Sequence, residues 1–239
     1  MAILSISDLT YKTPILGLIQ ELSGDHEKNV QAYTGLPTIT IVAGSTQLYN
    51  FNANGYITEN SSVTLVSSAA VTAGGAIKNA EVIGSLSSLS LSGSTGSPVS
   101  FSASILGKSG EGGTALINET ELGDIVFCDD VTIAGIVTSS SGTIQNFSIN
   151  LNWELEPTYV SGECTAVVFK SFSGTMSVSC GAETSTLTAD LSTGDLASAA
   201  ISIGGLSFSI TGVLTKETLV SGVGEVPVVK QDYTLSSLT

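Results

Sequence analysis

Ile144-Gln145-Asn146-Phe147-Ser148-Ile149-Asn150-Leu151-Asn152-Trp153 is the stretch that decides the fold. Phe147, Ile149, Leu151 and Trp153 fall on one face of an extended chain, and Ser148, Asn150 and Asn152 on the other. Side chains of a strand alternate between faces, so this period of two marks a long, half-buried β-strand. Working outward, Val99-Ser100-Phe101-Ser102-Ala103-Ser104-Ile105 repeats the pattern, with Val99, Phe101, Ala103 and Ile105 sharing a face. Ser62-Val63-Thr64-Leu65-Val66, part of Leu86-Ser87-Ser88-Leu89-Ser90-Leu91, Val131-Thr132-Ile133 and Ile136-Val137 read as further strands. So do Thr165-Ala166-Val167-Val168-Phe169, Gly174-Thr175-Met176-Ser177-Val178-Ser179 and Leu206-Ser207-Phe208-Ser209-Ile210. The series opens at Thr38-Ile39-Thr40-Ile41-Val42, before the turn residues Ala43-Gly44-Ser45. Short strands with turn signals at about ten-residue spacing point to a β-sandwich or barrel, not to alternating βα units.

One or two short helices are expected beside the strands. The first follows Thr13 as N-cap and Pro14 at the first helical position, runs through Leu22 and ends near Gly24. The second lies near Leu191 to Ile201, with Ser192 or Thr193 as cap. The chain then divides into an N-terminal arm over 1–36, a β-sandwich or barrel over 37–218 and a C-terminal extension over 219–239. The Ser100-Phe101-Ser102 strand that ends before Lys108 echoes the Ser207-Phe208-Ser209 strand that ends before Lys216.

Composition narrows the chemistry. The 239 residues are 42% hydrophobic and only 12% charged, with 26 Gly and 5 Pro, which suits strands and tight turns rather than disorder. Net charge is −14, and all seven basic residues are Lys. Without Arg there is no bidentate fork for phosphates or base edges, which argues against sequence-specific nucleic-acid binding. So acidic a surface repels a polyanion out to roughly 8–10 Å at physiological ionic strength, which helps if nucleic acid must slide past without sticking. Met1-Ala2-Ile3-Leu4-Ser5 lacks the basic region of a secretory signal, and no apolar run approaches the ~20 residues of a membrane-spanning helix. Three cysteines, Cys128, Cys164 and Cys180, have no metal-ligand spacing and read as free thiols; the alternative is a Cys164–Cys180 bridge between neighbouring strands.

Catalytic constellations are missing. Gly107-Lys108-Ser109 ends like a phosphate-binding loop, but Ser102 stands where the pattern needs Gly, and a β-turn is the better reading. The sole histidine, His26, lies in a polar stretch, and no Gly-x-Ser-x-Gly elbow occurs. The chain is therefore read as no enzyme, with no metal site and no cofactor. The carboxylates stand out as charge: no basic residue lies between Lys108 and Lys170, against nine acids. These are Glu111, Glu119, Glu121, Asp124, Asp129, Asp130, Glu154, Glu156 and Glu163. Asp129 and Asp130 would point to opposite faces of a strand, while Glu154 and Glu156 share a face at a strand end before Pro157. Either this is a solvated acidic surface or a deliberately negative one, such as a channel wall.

The strand at Val99–Ile105 with its Gly-rich loop, Phe127-Cys128-Asp129-Asp130-Val131-Thr132-Ile133-Ala134-Gly135, and the strands at Ile144–Asn152 and Gly174–Val178 carry a resemblance. Over roughly residues 85–215, their pattern and turn placement resemble the tail tube (major tail) proteins of long-tailed bacteriophages. That resemblance implies a structural virion protein, made in the host cytoplasm, whose hexameric rings stack into a tube for genome delivery. It implies partners in itself and other tail proteins, with DNA passing unbound and no membrane insertion. It also implies a negative lumen, for which Glu111, Glu119, Glu121, Asp124, Asp129, Asp130, Glu154 and Glu156 are the candidates. Both chain ends would suit contacts between rings. The alternatives are a capsid decoration or tail-terminator subunit and, behind it, an adhesin-like binding β-sandwich.

Overall fold

The computed structural model describes residues 7–8, 11–12, 18–24, 30–33, 36–39, 49–61, 63–77, 80–111, 123–135, 143–160, 163–181, 196–220 and 227–239. Its strands are β1 (Ser7–Asp8), β2 (Tyr11–Lys12), β3 (Leu18–Gly24), β4 (Val30–Tyr33), β5 (Leu36–Ile39), β6 (Tyr49–Tyr56), β7 (Thr72–Ile77) and β8 (Ala80–Ser94). They continue as β9 (Ser100–Glu111), β10 (Thr132–Ala134), β11 (Ile144–Val160), β12 (Glu163–Gly181), β13 (Leu196–Ile203), β14 (Leu206–Val220) and β15 (Val228–Leu238). Two small pairs, β1–β2 and β4–β5, stand apart from one large antiparallel sheet ordered β10-β13-β14-β15-β12-β11-β8-β9-β6-β3, with β7 added on β8. The sheet curls as a half-barrel, so the chain is all-β.

Alternation builds the core as the sequence indicates. Phe147, Ile149, Leu151 and Trp153 of β11 are buried on the same side as Leu89 and Leu91 of β8, Phe101, Ala103 and Ile105 of β9, and Met176 and Val178 of β12. The segment 57–71 crosses the open side of the curl and seals it. Ile57 donates its N–H to the Val99 carbonyl at 2.9 Å, Ser67 to the Leu238 carbonyl at 2.9 Å, and Leu86 to the Val71 carbonyl at 2.8 Å. Its buried Ile57, Val63, Leu65 and Val71 complete the core. Ser62–Val66 was expected as a strand. Ser62 lies outside the described residues; of the rest, Val63 and Leu65 are buried, and Val63–Val66 join no ladder.

Both expected helices are strands where the structure describes them. β3 covers Leu18–Gly24 and pairs with β6, so sheet partners outweigh the cap signals at Thr13 and Pro14, which lie outside the described residues. β13 pairs with β14 along its whole length, and Ala199, Ile201 and Ile203 alternate inward, a period of two that the run of alanines obscured. The helical turn among the described residues is a 3-10 turn at Cys128–Asp130. Asp129 and Asp130 therefore sit on a turn and not on a strand. Gly107-Lys108-Ser109, expected as a β-turn, continues β9, with Lys108 opposite Ile83. β11 runs on through Pro157 to Val160, past the strand end expected there. Cys164 and Cys180 lie on the same strand, β12, sixteen residues or roughly 50 Å apart, which rules out the alternative bridge. β15, grouped with a C-terminal extension in the sequence, runs between β14 and β12.

One irregularity shapes the molecule. Residues 88–94 of β8 pair with β11, but residues 80–85 pair with β7 on that same edge. The sheet forks there, and the register shifts at Leu86/Ser88 in β8 and at Glu154/Leu155 against β12 both fall at the fork. Bulges of this kind re-aim strands and increase twist. Beyond it, residues 153–160 of β11 and 163–173 of β12 pair only with each other among the described residues, forming a projecting two-stranded ribbon.

Candidate assembly surface

Between β6 and β12 the side of the sheet away from the core is mainly hydroxyls and amides, with Leu106 of β9 among them, and it is flanked on β15 by Lys230 and Asp232. From β6 to β12 it presents Asn50, Asn52 and Asn54, then Ser102 and Ser104, Ser88, Ser90 and Ser92, Asn146, Asn150 and Asn152, and Thr175 and Ser177. These follow directly from the alternation that puts the apolar residues inside. Neighbouring strands bond to each other through them: Ser104 Oγ donates to Asn52 Oδ1 at 2.7 Å, and Ser90 Oγ to Asn150 Oδ1 at 2.8 Å. The Ser92 and Ser100 hydroxyls lie 3.0 Å apart. Cross-strand pairs of this kind contribute a few tenths of a kcal/mol each, to about 1 kcal/mol, and fix register. No charged side chain interrupts this patch of named residues.

The sequence-selected acids do not form one cluster. Glu154 and Glu156 extend the polar face along β11 onto the ribbon, and both are exposed. Ser171 Oγ donates to Glu154 Oε2 at 2.6 Å, and Lys170 pairs with Glu156. The hydrogen bond to Glu156, followed by its charge, holds the Lys170 ammonium above its ordinary range. Asp129 and Asp130 lie at the opposite end of the sheet, where Asp129 Oδ2 accepts from the Gly96 N–H at 3.1 Å and ties down the β8–β9 turn. Asp124 is exposed in the loop before that turn, and its carbonyl accepts from the Glu59 N–H. Glu111 ends β9, while Glu119 and Glu121 lie outside the described residues, as does His26.

A buried polar relay was not legible in the sequence. Tyr233 Oη donates to Gln231 Oε1 at 2.9 Å, and Gln231 Nε2 donates to Glu217 Oε2 at 2.7 Å. Tyr233 and Gln231 are both buried, and burial, then the Glu217 charge, pushes the Tyr233 phenol well up from its ordinary value. Cys128 and Cys180 are buried thiols. Burial, helped by the Asp129 charge, raises the Cys128 thiol, so it is a packing residue and a poor nucleophile. Among the described residues no group of three or more His, Cys, Asp or Glu could hold a metal ion, and no helix is long and apolar enough to cross a membrane.

The described residues thus form an all-β chain whose features are surfaces, edges and a projecting ribbon. The chain belongs to the phage tail tube protein family, whose model matches residues 13–234. No curated protein matches the chain. Membership makes it a structural component of the phage tail, one that assembles with itself and with other tail proteins.

Proposed function

We propose that the chain is the major tail tube subunit, that six copies close into a ring, and that rings stack into the channel through which the genome is delivered. The observation that carries this reading is the uncharged hydroxyl and amide face spanning β6, β9, β8, β11 and β12, with Glu154 and Glu156 at its ribbon end. A channel wall for a polyanion needs to be wettable and free of cations. Arg is absent from the whole chain, and Lys170 is neutralised by Glu156 beside it. Carboxylates at the margin add repulsion that keeps DNA from adhering. Asp124, Asp129 and Asp130, with Glu111, Glu119 and Glu121, are proposed as a second acidic contribution to the lumen. On this reading the subunit catalyses nothing, and DNA passes without specific contacts.

Strand edges without a partner among the described residues also favour the ring. β3 and β10 end the large sheet, and an edge left open in a self-associating protein is satisfied by pairing with another copy. Negative-stain electron microscopy of the purified protein across a concentration series tests the proposal. Hollow rings and tubes support it; trimers or isolated particles at every concentration sink it and favour a decoration subunit.

A further inference from the structure

β13 stops with Leu196 opposite Val213, so beyond Val213 that edge of β14 has no partner among the described residues. The inward face at this end is covered, with Val229 and Gln231 of β15 buried. What stands open is the backbone edge of β14 and its tip, where Leu219 is 54% and Val220 58% exposed. An apolar strand end of this kind invites an added strand. Two features stand in its way. The register steps from Leu214 opposite Tyr233 to Lys216 opposite Asp232, so Thr215 is an extra residue in β14. Its hydroxyl donates to the Asp232 carbonyl at 2.9 Å, which locks the bulge. A bulge bends its strand, raises the local twist and breaks the even spacing of edge N–H and C=O groups that an incoming strand must match. It also reverses the alternation, so that Lys216 stands outward and exposed while Glu217 turns inward and accepts from Gln231 at 2.7 Å. Asp232, opposite Lys216, has its carboxylate 3.8 Å from the Lys230 ammonium, so two lysines share it.

We infer that this end of β14 is guarded against strand addition: the locked Thr215 bulge and the Lys216 charge keep a second copy from extending the sheet along it. Laid side by side, two such edges bring together bulges that do not match and lysines that face each other, and like charges opposite one another weaken a ladder. Lysine and a bulge are both means by which natural sheets blunt an edge. The guard matters because the chain belongs to a family that assembles with itself. Ordered growth in such a protein competes with edge-to-edge aggregation wherever an edge is left receptive. Self-association therefore runs through other surfaces, and the β14 end stays out of it. The inference holds for the single subunit and does not depend on six-membered rings.

Lys216→Val tests it. The substitution leaves the bulge and the Gln231–Glu217 bond in place and suits a strand, so the fold is retained, which a urea melt checks. Wild type, K216V and K216R are incubated below the concentration at which ordered assembly begins, and thioflavin T fluorescence and light scattering follow β-aggregates. K216V should aggregate roughly fivefold faster than wild type, and K216R, which keeps the charge, should match wild type. Thr215→Val keeps the side-chain shape and loses only the bond to Asp232; added to K216V, it should raise the rate further. Aggregation of K216V at the wild-type rate, or of K216R at the K216V rate, overturns the inference. No added rate from T215V in the K216V background overturns the part assigned to the bulge lock.

Discussion

Replacing Trp153 should reveal how the curl is sealed. The indole is 2% exposed, and its Nε1–H donates to the Val66 carbonyl at 2.8 Å. Its ring lies 5.7 Å from that of Phe172, tilted by 58°. One side chain therefore holds the crossing segment 57–71 to β11 at the point where the sheet forks. Trp153→Phe keeps most of the aromatic contact but leaves the Val66 carbonyl without its donor, which costs about 1–3 kcal/mol. Trp153→Ala also loses the Phe172 pairing and opens a large cavity, for about 4–5 kcal/mol. Urea unfolding followed by far-ultraviolet circular dichroism, below the assembly concentration, measures both. Fluorescence cannot serve, because Trp153 is the chain's one tryptophan. Hydrogen exchange should show the amides of residues 153–173 losing protection in both variants. A loss under about 0.5 kcal/mol for W153F would refute the view that this bond anchors the crossing segment.

Other expectations follow from single sites. At Gly205 an added Cβ would fall 2.3 Å from the Ser61 carbonyl oxygen and 2.5 Å from that of Glu59. Both are backbone atoms, so Gly205→Ala should cost about 2–3 kcal/mol in a urea melt, and a neutral result would show that the β13–β14 turn has room to shift. The Tyr233 phenol is raised from 10.0 in the folded chain, so above that pH the unfolded chain loses a proton that the folded one keeps. Its contribution to stability is full below pH 10.0 and declines as pH rises toward the folded value, by about 1.4 kcal/mol per pH unit. Tyr233→Phe should flatten that alkaline decline relative to wild type, and parallel pH curves would show that the shift has no energetic consequence. Glu154→Lys with Glu156→Lys should leave rings intact but slow genome passage, scored as delayed ejection from virions carrying the variant; unchanged ejection would remove both from the lumen.

The all-β fold was legible because period-two alternation survives wherever one sheet face is buried, as at Phe147–Trp153 and Val99–Ile105. The helices were misplaced for a physical reason. Local cap and propensity signals at 13–24 and 191–201 are worth about 1 kcal/mol, less than a full ladder of sheet partners offers. Pairing order, the fork between β7 and β11, and the inward bend of 57–71 depend on contacts between residues far apart in sequence, and no local pattern encodes them. The polar face was visible only as Ser and Asn alternating with apolar residues. That these residues line up across five strands is a matter of register, which sequence alone does not supply. The Tyr233–Gln231–Glu217 relay was hidden similarly, because Glu217 joins it from the neighbouring strand.

Helical reconstruction of the assembled protein by cryo-electron microscopy tests the central claim most directly. The account expects a hollow tube of stacked six-membered rings, with Ser90, Asn150 and Thr175 facing a bore wide enough for duplex DNA. A filament without a bore, or a tube with that face turned to the outside, would contradict it.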